Sequence, residues 1–221
     1  RPSELSRLLT SIDCDPDSLE VVVCEDFAPM RDQVREVVED FKKGSRYAIK
    51  YEENSTNLGY DGNLRKLISI ASGEFVLFMG DDDWFNQGAL DRFLEFLNAN
   101  RDVGYVLRSY QAMHPDGKLE PFRYLDGPKR FSPGIDICAW MYKRTVSICG
   151  VTFKRKSALK YSSDRFDGTL LYQLYLVLEV CYKEPSVYPI FRLLWQLKLL
   201  GRTSHNLAPP RKRKADLSQV R

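Results

Sequence analysis

An α/β fold, in which a mostly parallel sheet is flanked by helices and followed by a less regular second half, is what the sequence predicts, on three observations. Apolar, often β-branched runs alternate with segments of helical periodicity from Leu19 to Tyr110. One run, Glu74-Phe-Val-Leu-Phe-Met79, is nearly continuous apolar, as expected of a strand covered on both faces of a parallel sheet. The 221 residues are 43% hydrophobic and 12% aromatic, which suits one generous domain with a real core and excludes wholesale disorder or a fibrous repeat.

The elements follow in order. Leu19 to Cys24 reads as a strand ending at Glu25-Asp26, and Val34, Val37, Val38 and Phe41 then mark a helix. Tyr47 to Tyr51 reads as a second strand, followed by the turn-rich loop Asn57-Leu-Gly-Tyr-Asp-Gly-Asn63. Leu64, Leu67, Ile68 and Ala71 form a helical stripe that Gly73 terminates. The buried strand 74–79 ends in Gly80-Asp81-Asp82-Asp83, a helix follows with Leu90, Phe93, Leu94 and Leu97 on one face, and Val103 to Tyr110 offers another strand. Beyond Gln111 the pattern weakens. His114-Pro-Asp-Gly117 predicts a turn, 121–133 an irregular stretch, Ile135 to Tyr142 a short helix, Ser147 to Lys154 a strand, and Gly168 to Tyr182 a longer helix. The expected division is a regularly patterned half at 1–110, a less regular second half at 111–200 and a basic, flexible tail at 201–221.

The formal charge is +3, but six lysines and arginines against one aspartate lie in the last 21 residues. The remainder holds 27 basic and 29 acidic residues, a charge of −2, which is not the profile of a nucleic-acid-binding surface. The tail at Arg211 to Lys214 leaves a peripheral membrane contact open. Five scattered cysteines without a C-x-x-C pair, with only two histidines, read as reduced, mostly buried thiols of a cytosolic protein rather than a zinc site. The apolar stretch Val187 to Leu200 is interrupted by Pro189, Arg192, Gln196 and Lys198, so it reads as a core helix or strand rather than a spanning segment. The expected location is the cytoplasm, at the inner face of the membrane if the tail engages lipid.

In an open α/β sheet, ligands bind beyond the carboxyl ends of the strands. Glu25-Asp26 and Asp81-Asp82-Asp83 both fall at such ends. Three adjacent carboxylates repel one another by about 1–4 kcal/mol per close pair unless a cation joins them. A hard ion, Mn²⁺ or Mg²⁺, takes one or two carboxylates and completes its shell with water and phosphate oxygens, so the implied ligand carries phosphate. The bland alternative is helix capping, for which a single aspartate would suffice. The reading requires these carboxylates to face a cavity and not to be wholly engaged by neighbouring arginines or lysines.

Glu25-Asp26-Phe-Ala-Pro29, Asn57-x-Gly59-x-x-x-Asn63 and Ala71-x-Gly73-Glu-Phe-Val-x-Phe-Met-Gly-Asp-Asp-Asp83 together resemble the nucleotide-binding half of a family 2 glycosyltransferase with the GT-A fold. The likeness covers residues 1 to about 110, with Phe166-x-Gly168-Thr169 similar to an abequosyltransferase-like branch. The resemblance implies an inverting, metal-dependent transfer from a nucleoside diphosphate sugar to a saccharide or lipid-linked saccharide, as in polysaccharide or surface-glycan synthesis. Asp26, with Glu25 beside it, matches the carboxylate placed against the base. Asn57, Gly59 and Asn63 match the loop near base and ribose. Asp82 matches the acid approaching the ribose and Asp83 the metal ligand, while Gly80 replaces the motif's first acid and Asp81 offers an alternative register for metal or nucleotide.

In the family the catalytic base is commonly an acid of an E-D pair starting a helix in the second half; the matching region here, Asp164-Arg-Phe-Asp167-Gly-Thr169, has no such pair. Asp167, just ahead of the expected helix, is the first candidate and Asp164 the second, with an N-cap and a surface acid as their structural alternatives. Trp140, Tyr142 and Trp195 are candidate sugar-stacking platforms. Arg1-Pro2 with Leu5, Leu8 and Leu9 is similar to the end of the family's opening motif and its first helix, which implies an inner strand of roughly ten residues with its flanks ahead of Arg1. A non-catalytic nucleotide-sugar binder and a receiver-type phosphoacceptor domain are the competing readings.

Overall fold

The structure is a computed structural model and describes residues 1–189 and the backbone of 195–198. Pro2–Thr10 forms α1, with proline in its first turn and Leu5, Leu8 and Leu9 on its buried face. Next come β1 (Glu20–Glu25), α2 (Arg31–Gly44), β2 (Ala48–Glu53), α3 (Gly59–Ile70) and β3 (Phe75–Leu77). The short strand β4 (Trp84–Phe85) leads to α4 (Ala89–Ala99), β5 (Tyr105–Leu107), β6 (Tyr110–Met113), β7 (Leu119–Phe122) and β8 (Lys129–Phe131). The second half continues as α5 (Ile135–Tyr142), β9 (Val151–Lys154), α6 (Arg155–Tyr161), α7 (Tyr172–Lys183), β10 (Ser186–Tyr188) and β11 (Trp195–Lys198).

The central five-stranded sheet has the order β3-β9-β5-β10-β8. β3, β5 and β10 share one direction, because β3 and β5 are both antiparallel to β9 and β10 is parallel to β5; β8 is antiparallel to β10. β1 and β2 form a separate parallel pair with Glu20 opposite Ala48 and Glu25 opposite Glu53, and β4-β11-β6-β7 a third sheet. Side chains alternate across the central sheet as the strand period requires. Val76, Phe78, Tyr105 and Leu107 pack with α3, α5, α6 and α7, whereas Phe75, Leu77 and Val106 pack with α1, α2 and α4. The sheet is thus covered on both sides, as the apolar run 74–79 predicts.

β1 and β3 start from the same end, because the Glu20 carboxylate accepts the Ser72 hydroxyl at 2.8 Å, the Gly73 N–H at 2.7 Å and the Ser72 N–H. They do not pair with each other. Among the described residues the ladder partner of β1 is β2 and that of β3 is β9. A cavity of about 790 Å³ separates them, lined by consecutive residues 17–26 and 73–81, so that strand edges rather than faces look into it; Leu5, Leu8 and Leu9 of α1 and Leu64 and Leu67 of α3 close its sides.

Several elements differ from the sequence expectation for physical reasons. The run 103–110 breaks between β5 and β6 at Arg108-Ser109, where the fully buried Arg108 guanidinium donates to the carbonyls of Phe78 (3.2 Å) and Cys149. The helix expected from Gly168 begins only at Tyr172, because Gly168 (φ 81°) and Leu170 (φ 62°) are left-handed. The stretch 121–133 is not wholly irregular, since β7 reaches Phe122 and β8 spans Lys129–Phe131. The turn at His114–Gly117 is the tip of the β6–β7 hairpin, with the His114 ring 2.9 Å from Glu120. All five cysteines are free thiols, four of them buried. Within Val187–Leu200 the described pieces are strands, and the basic tail lies outside the described residues.

Candidate functional site

The cleft is built where β1 and β3 end. Glu25, Asp26, Tyr60, Asn63, Gly80, Asp81 and Arg1 all line it, so two of the acidic strand tips converge on one cavity. Glu25 is buried and faces inward. Its Oε1 accepts the Ala28 N–H at 2.5 Å and its Oε2 the Phe27 N–H at 3.1 Å, with Arg31 3.5 Å away. That carboxylate organises the turn after β1, where Phe27 is left-handed (φ 59°). Asp26 is the more open of the pair, and its Oδ1 accepts the Asn54 amide and the Leu58 N–H, each at 2.8 Å.

Asn54 is a buried residue that sequence reading missed. Its Nδ2 also donates to Asn63 Oδ1 at 3.1 Å, while Asn63 Nδ2 donates to the Cys24 carbonyl at 3.2 Å. One amide therefore ties the end of β1 to the first turns of α3. Asn57 accepts the Gly59 N–H at 2.8 Å in an Asx turn, and Gly59 at φ 73° takes a conformation that a Cβ would disfavour. Asn57 and Gly59 are thus placed at the start of α3, beside the cleft rather than on its wall.

The aspartate triplet divides. Asp81 lines the cleft with its side chain 41% exposed, whereas Asp82 does not line it and is 18% exposed. The Arg1 guanidinium joins them, with Nε 3.0 Å from Asp81 Oδ2 and Nη1 bonded to Asp82. Burial alone would lower the Arg1 pKa, but Asp81 and Asp82 raise it. Arg7 donates to the Asp82 carbonyl at 2.6 Å and stacks over Trp84 at 4.0 Å, holding the turn from below.

Asp83 turns inward and is fully buried, unlike the open ligand the sequence suggests. Its Oδ2 accepts the Gly80 N–H at 3.2 Å, and a Cβ at Gly80 would come within 2.8 Å of that oxygen, so the glycine that replaces the motif's first acid makes room for this fold-back. Burial pushes the nearby Cys149 thiol up to about 12, helped by the Asp83 charge, and lowers Arg108 to about 10, an effect that Asp83 opposes.

The two candidate bases lie on the loop ahead of α7 and do not line the cleft. Asp167 forms an ion pair with Arg65 of α3, and Asp164 accepts the Asp167 N–H through its backbone carbonyl at 3.0 Å. A second, apolar groove of about 570 Å³ runs beside α5 and α7, lined by residues that include Phe166, Thr169, Leu171 and Tyr182. Of the stacking candidates, Trp140 is packed between Tyr124, Phe131 and Arg144, Tyr142 is exposed, and the Trp195 side chain lies outside the described residues. Among the described residues no group of three or more His, Cys, Asp or Glu side chains forms a metal cage, and no helix is long and apolar enough to cross a membrane.

Residues 1–159 match the family model for glycosyl transferase family 2. The chain is 27% identical over 104 residues to the abequosyltransferase RfbV of Salmonella typhimurium, 47% of this chain and 31% of that protein. It is 32% identical over 97 residues to the poly(ribitol-phosphate) beta-N-acetylglucosaminyltransferase TarS of Staphylococcus aureus, 43% of this chain and 16% of that protein. It thus spans less than a third of the length of these curated relatives. S. aureus TarS 1–349 in complex with UDP superposes with a TM-score of 0.69 at 18% identity, over 88% of this chain and 56% of that one. The Pyrobaculum calidifontis mannosyltransferase PcManGT in complex with GDP-Man and Mn²⁺ gives 0.64 at 16% identity, over 92% and 55%. These likenesses are to GT-A glycosyltransferase folds.

Proposed function

The chain belongs to glycosyl transferase family 2, and from that footing we propose that it moves a sugar from a nucleoside diphosphate sugar to a hydroxyl group, with inversion and with a divalent ion. The observation that carries the reading is the convergence of Asp26 and Asp81 on one cleft at the strand ends. Asp26 and Asn63 form the wall for base and ribose, with Asn57 and Gly59 shaping the start of α3 beside it and Glu25 organising the turn after β1. The diphosphate lies toward Asp81 and Asp82.

The carboxylates fit a hard cation, since Arg1 already places one positive charge between Asp81 and Asp82. One or two carboxylates suffice when phosphate and water complete the shell of Mn²⁺ or Mg²⁺. An exposed ion pair such as Arg1 with Asp81 contributes only about 0–1 kcal/mol, so the guanidinium yields to a bound ion at little cost. Asp83, named with Asp81 as a ligand from the sequence, supports the turn on which the other two stand. Bound there, the ion would neutralise the charge that develops on the leaving diphosphate.

Asp167 serves as the base that accepts the proton of the attacking hydroxyl, with Asp164 as the alternative. The acceptor is a saccharide or lipid-linked saccharide, and the apolar groove beside α7 suits the second. A cytoplasmic location with peripheral contact at the inner membrane face agrees with that acceptor, and nucleic acid has no role.

Thermal stabilisation by a panel of nucleoside diphosphate sugars, with and without Mn²⁺, tests the reading, since a ligand at 100 times its Kd adds about 2.7 kcal/mol. One nucleotide class should stabilise, only with metal, and Asp81→Ala should remove the effect. Indifference to every donor would overturn it. The Arg65 pair on Asp167 favours one second reading, binding without transfer. Turnover that survives in the wild type and is lost in Asp167→Asn, with donor binding intact, decides for the enzyme. Family membership over residues 1–159 leaves the receiver alternative without a place.

A further inference from the structure

Two side chains one turn apart on α3 reach the same loop of the second half. Asp61 is 1% exposed, and its carboxylate accepts the Leu170 N–H at 2.9 Å and the Tyr172 N–H at 3.0 Å. No side chain next to the start of α7 caps that helix. Asp61 therefore supplies, from more than a hundred residues away, the acceptor that a local serine or aspartate usually provides. Arg65, at i+4 on the same face, pairs with Asp167. Between these anchors the chain passes through Gly168 and Leu170, both left-handed, and a leucine keeps that conformation only where its surroundings over-determine it.

The first turn of the same helix carries the donor loop. Asn63 of α3 is bonded to the Cys24 carbonyl and to Asn54, which holds Asp26. We propose that Asp61 and Arg65 are positioning residues that index the 164–171 loop, and with it the Asp167 carboxylate, to the helix that carries the donor loop. This rests on the reading of Asp167 as the base. Its consequence is that base and donor move as one body: a shift of α3 on nucleotide binding carries Asp167 with it.

The test compares the whole chain with Arg65→Gln, Asp61→Asn and Asp167→Asn. Three readouts are taken: hydrogen exchange across 164–172, the thermal shift caused by UDP or GDP with Mn²⁺, and nucleoside diphosphate release from UDP-GlcNAc and GDP-mannose with water as acceptor. In Arg65→Gln and Asp61→Asn, exchange of the loop should accelerate about tenfold or more while the rest of the chain is unchanged. The nucleotide-induced shift should persist, and kcat for release should fall about 10–100-fold with donor KM held within about twofold. Arg65→Lys should recover part of the rate.

Unchanged loop exchange in Arg65→Gln overturns the proposal, as does wild-type kcat in both α3 variants when Asp167→Asn is inactive. Wild-type turnover by Asp167→Asn overturns the base assignment instead, while accelerated exchange would still establish the α3 anchors. If Asp61→Asn does not fold, Arg65→Gln decides, because its side chain is one-quarter exposed. If the wild type hydrolyses neither donor, the exchange comparison decides alone.

Discussion

The acids at the end of β1 and those of the 164–171 loop are assembled in opposite ways. Glu25 is held by amides two and three residues on, and Asp26 by residues 28 and 32 positions away. The later loop is anchored from α3 across separations of 102, 109 and 111 residues. A site of the first kind is mostly the work of one strand, one turn and one helix start, so it leaves a compact trace in sequence. A site of the second kind exists only once the two halves have packed, and it should fail as a unit when α3 is disturbed.

The largest expected effect separates the buried acid from the open one. Asp83→Ala removes a fully buried carboxylate that accepts the Gly80 N–H and fills the inside of the turn, and should cost about 3 kcal/mol, or a Tm drop on the order of 6–12 °C. Asp81→Ala should leave Tm within about 1 °C while abolishing metal-dependent donor binding. Equal loss of stability in the two variants would erase the distinction. Asn54→Ala comes next. Removing the amide that joins Asp26 to Asn63 should cost about 1–3 kcal/mol and weaken nucleotide binding, as denaturant unfolding and titration calorimetry would report.

A smaller effect appears in acid. Burial alone would raise the Glu20 carboxyl, but hydrogen bonds from Ser72 and Gly73 hold it below its usual range; the Arg35 and Tyr51 hydrogen bonds bring Glu53 to about 2. Both folded values are depressed, so their contribution is complete above the unfolded pKa of about 4.3 and is lost as pH falls toward 2. Tm should be level above pH 5 and decline by a few degrees below pH 4, with a shallower decline in Glu20→Gln.

The smallest effect contrasts the two non-glycine residues that, among the described residues, lie in the left-handed region. Leu170 is 62% exposed, and Leu170→Gly should stabilise by about 0.5–1 kcal/mol. Phe27→Gly should gain less, because the Phe27 ring lies 4.9 Å beneath the Arg31 guanidinium.

Legibility in the sequence follows the same division. The apolar run 74–79, the stripe of α3 and the acids after each strand announce the first half of the fold and its strand ends, because period and turn chemistry are local properties. The placement of Asp26 and Asp81 on one cleft agrees with that expectation. The inward turn of Asp83 was not legible, since it depends on the missing Cβ of Gly80 and on the Gly80 N–H that its Oδ2 accepts. Asp61 was visible only as one polar residue of a turn-rich loop. Its partners, Leu170 and Tyr172, carry no marking in sequence because backbone amides are alike at every position. The late start of α7 has the same origin, a left-handed leucine that Asp61 holds from outside the segment.

The gap between β1 and β3 has a practical consequence. Two backbone edges face each other across a hydrophobic trough, and each is a template for any extended polypeptide that arrives. Those edges make the trough adhesive, and association of the chain will rise with concentration. A short synthetic peptide of alternating valine and threonine should compete for that trough and restore monodispersity, which turns a purification nuisance into a direct measure of how strongly the donor half seeks another strand.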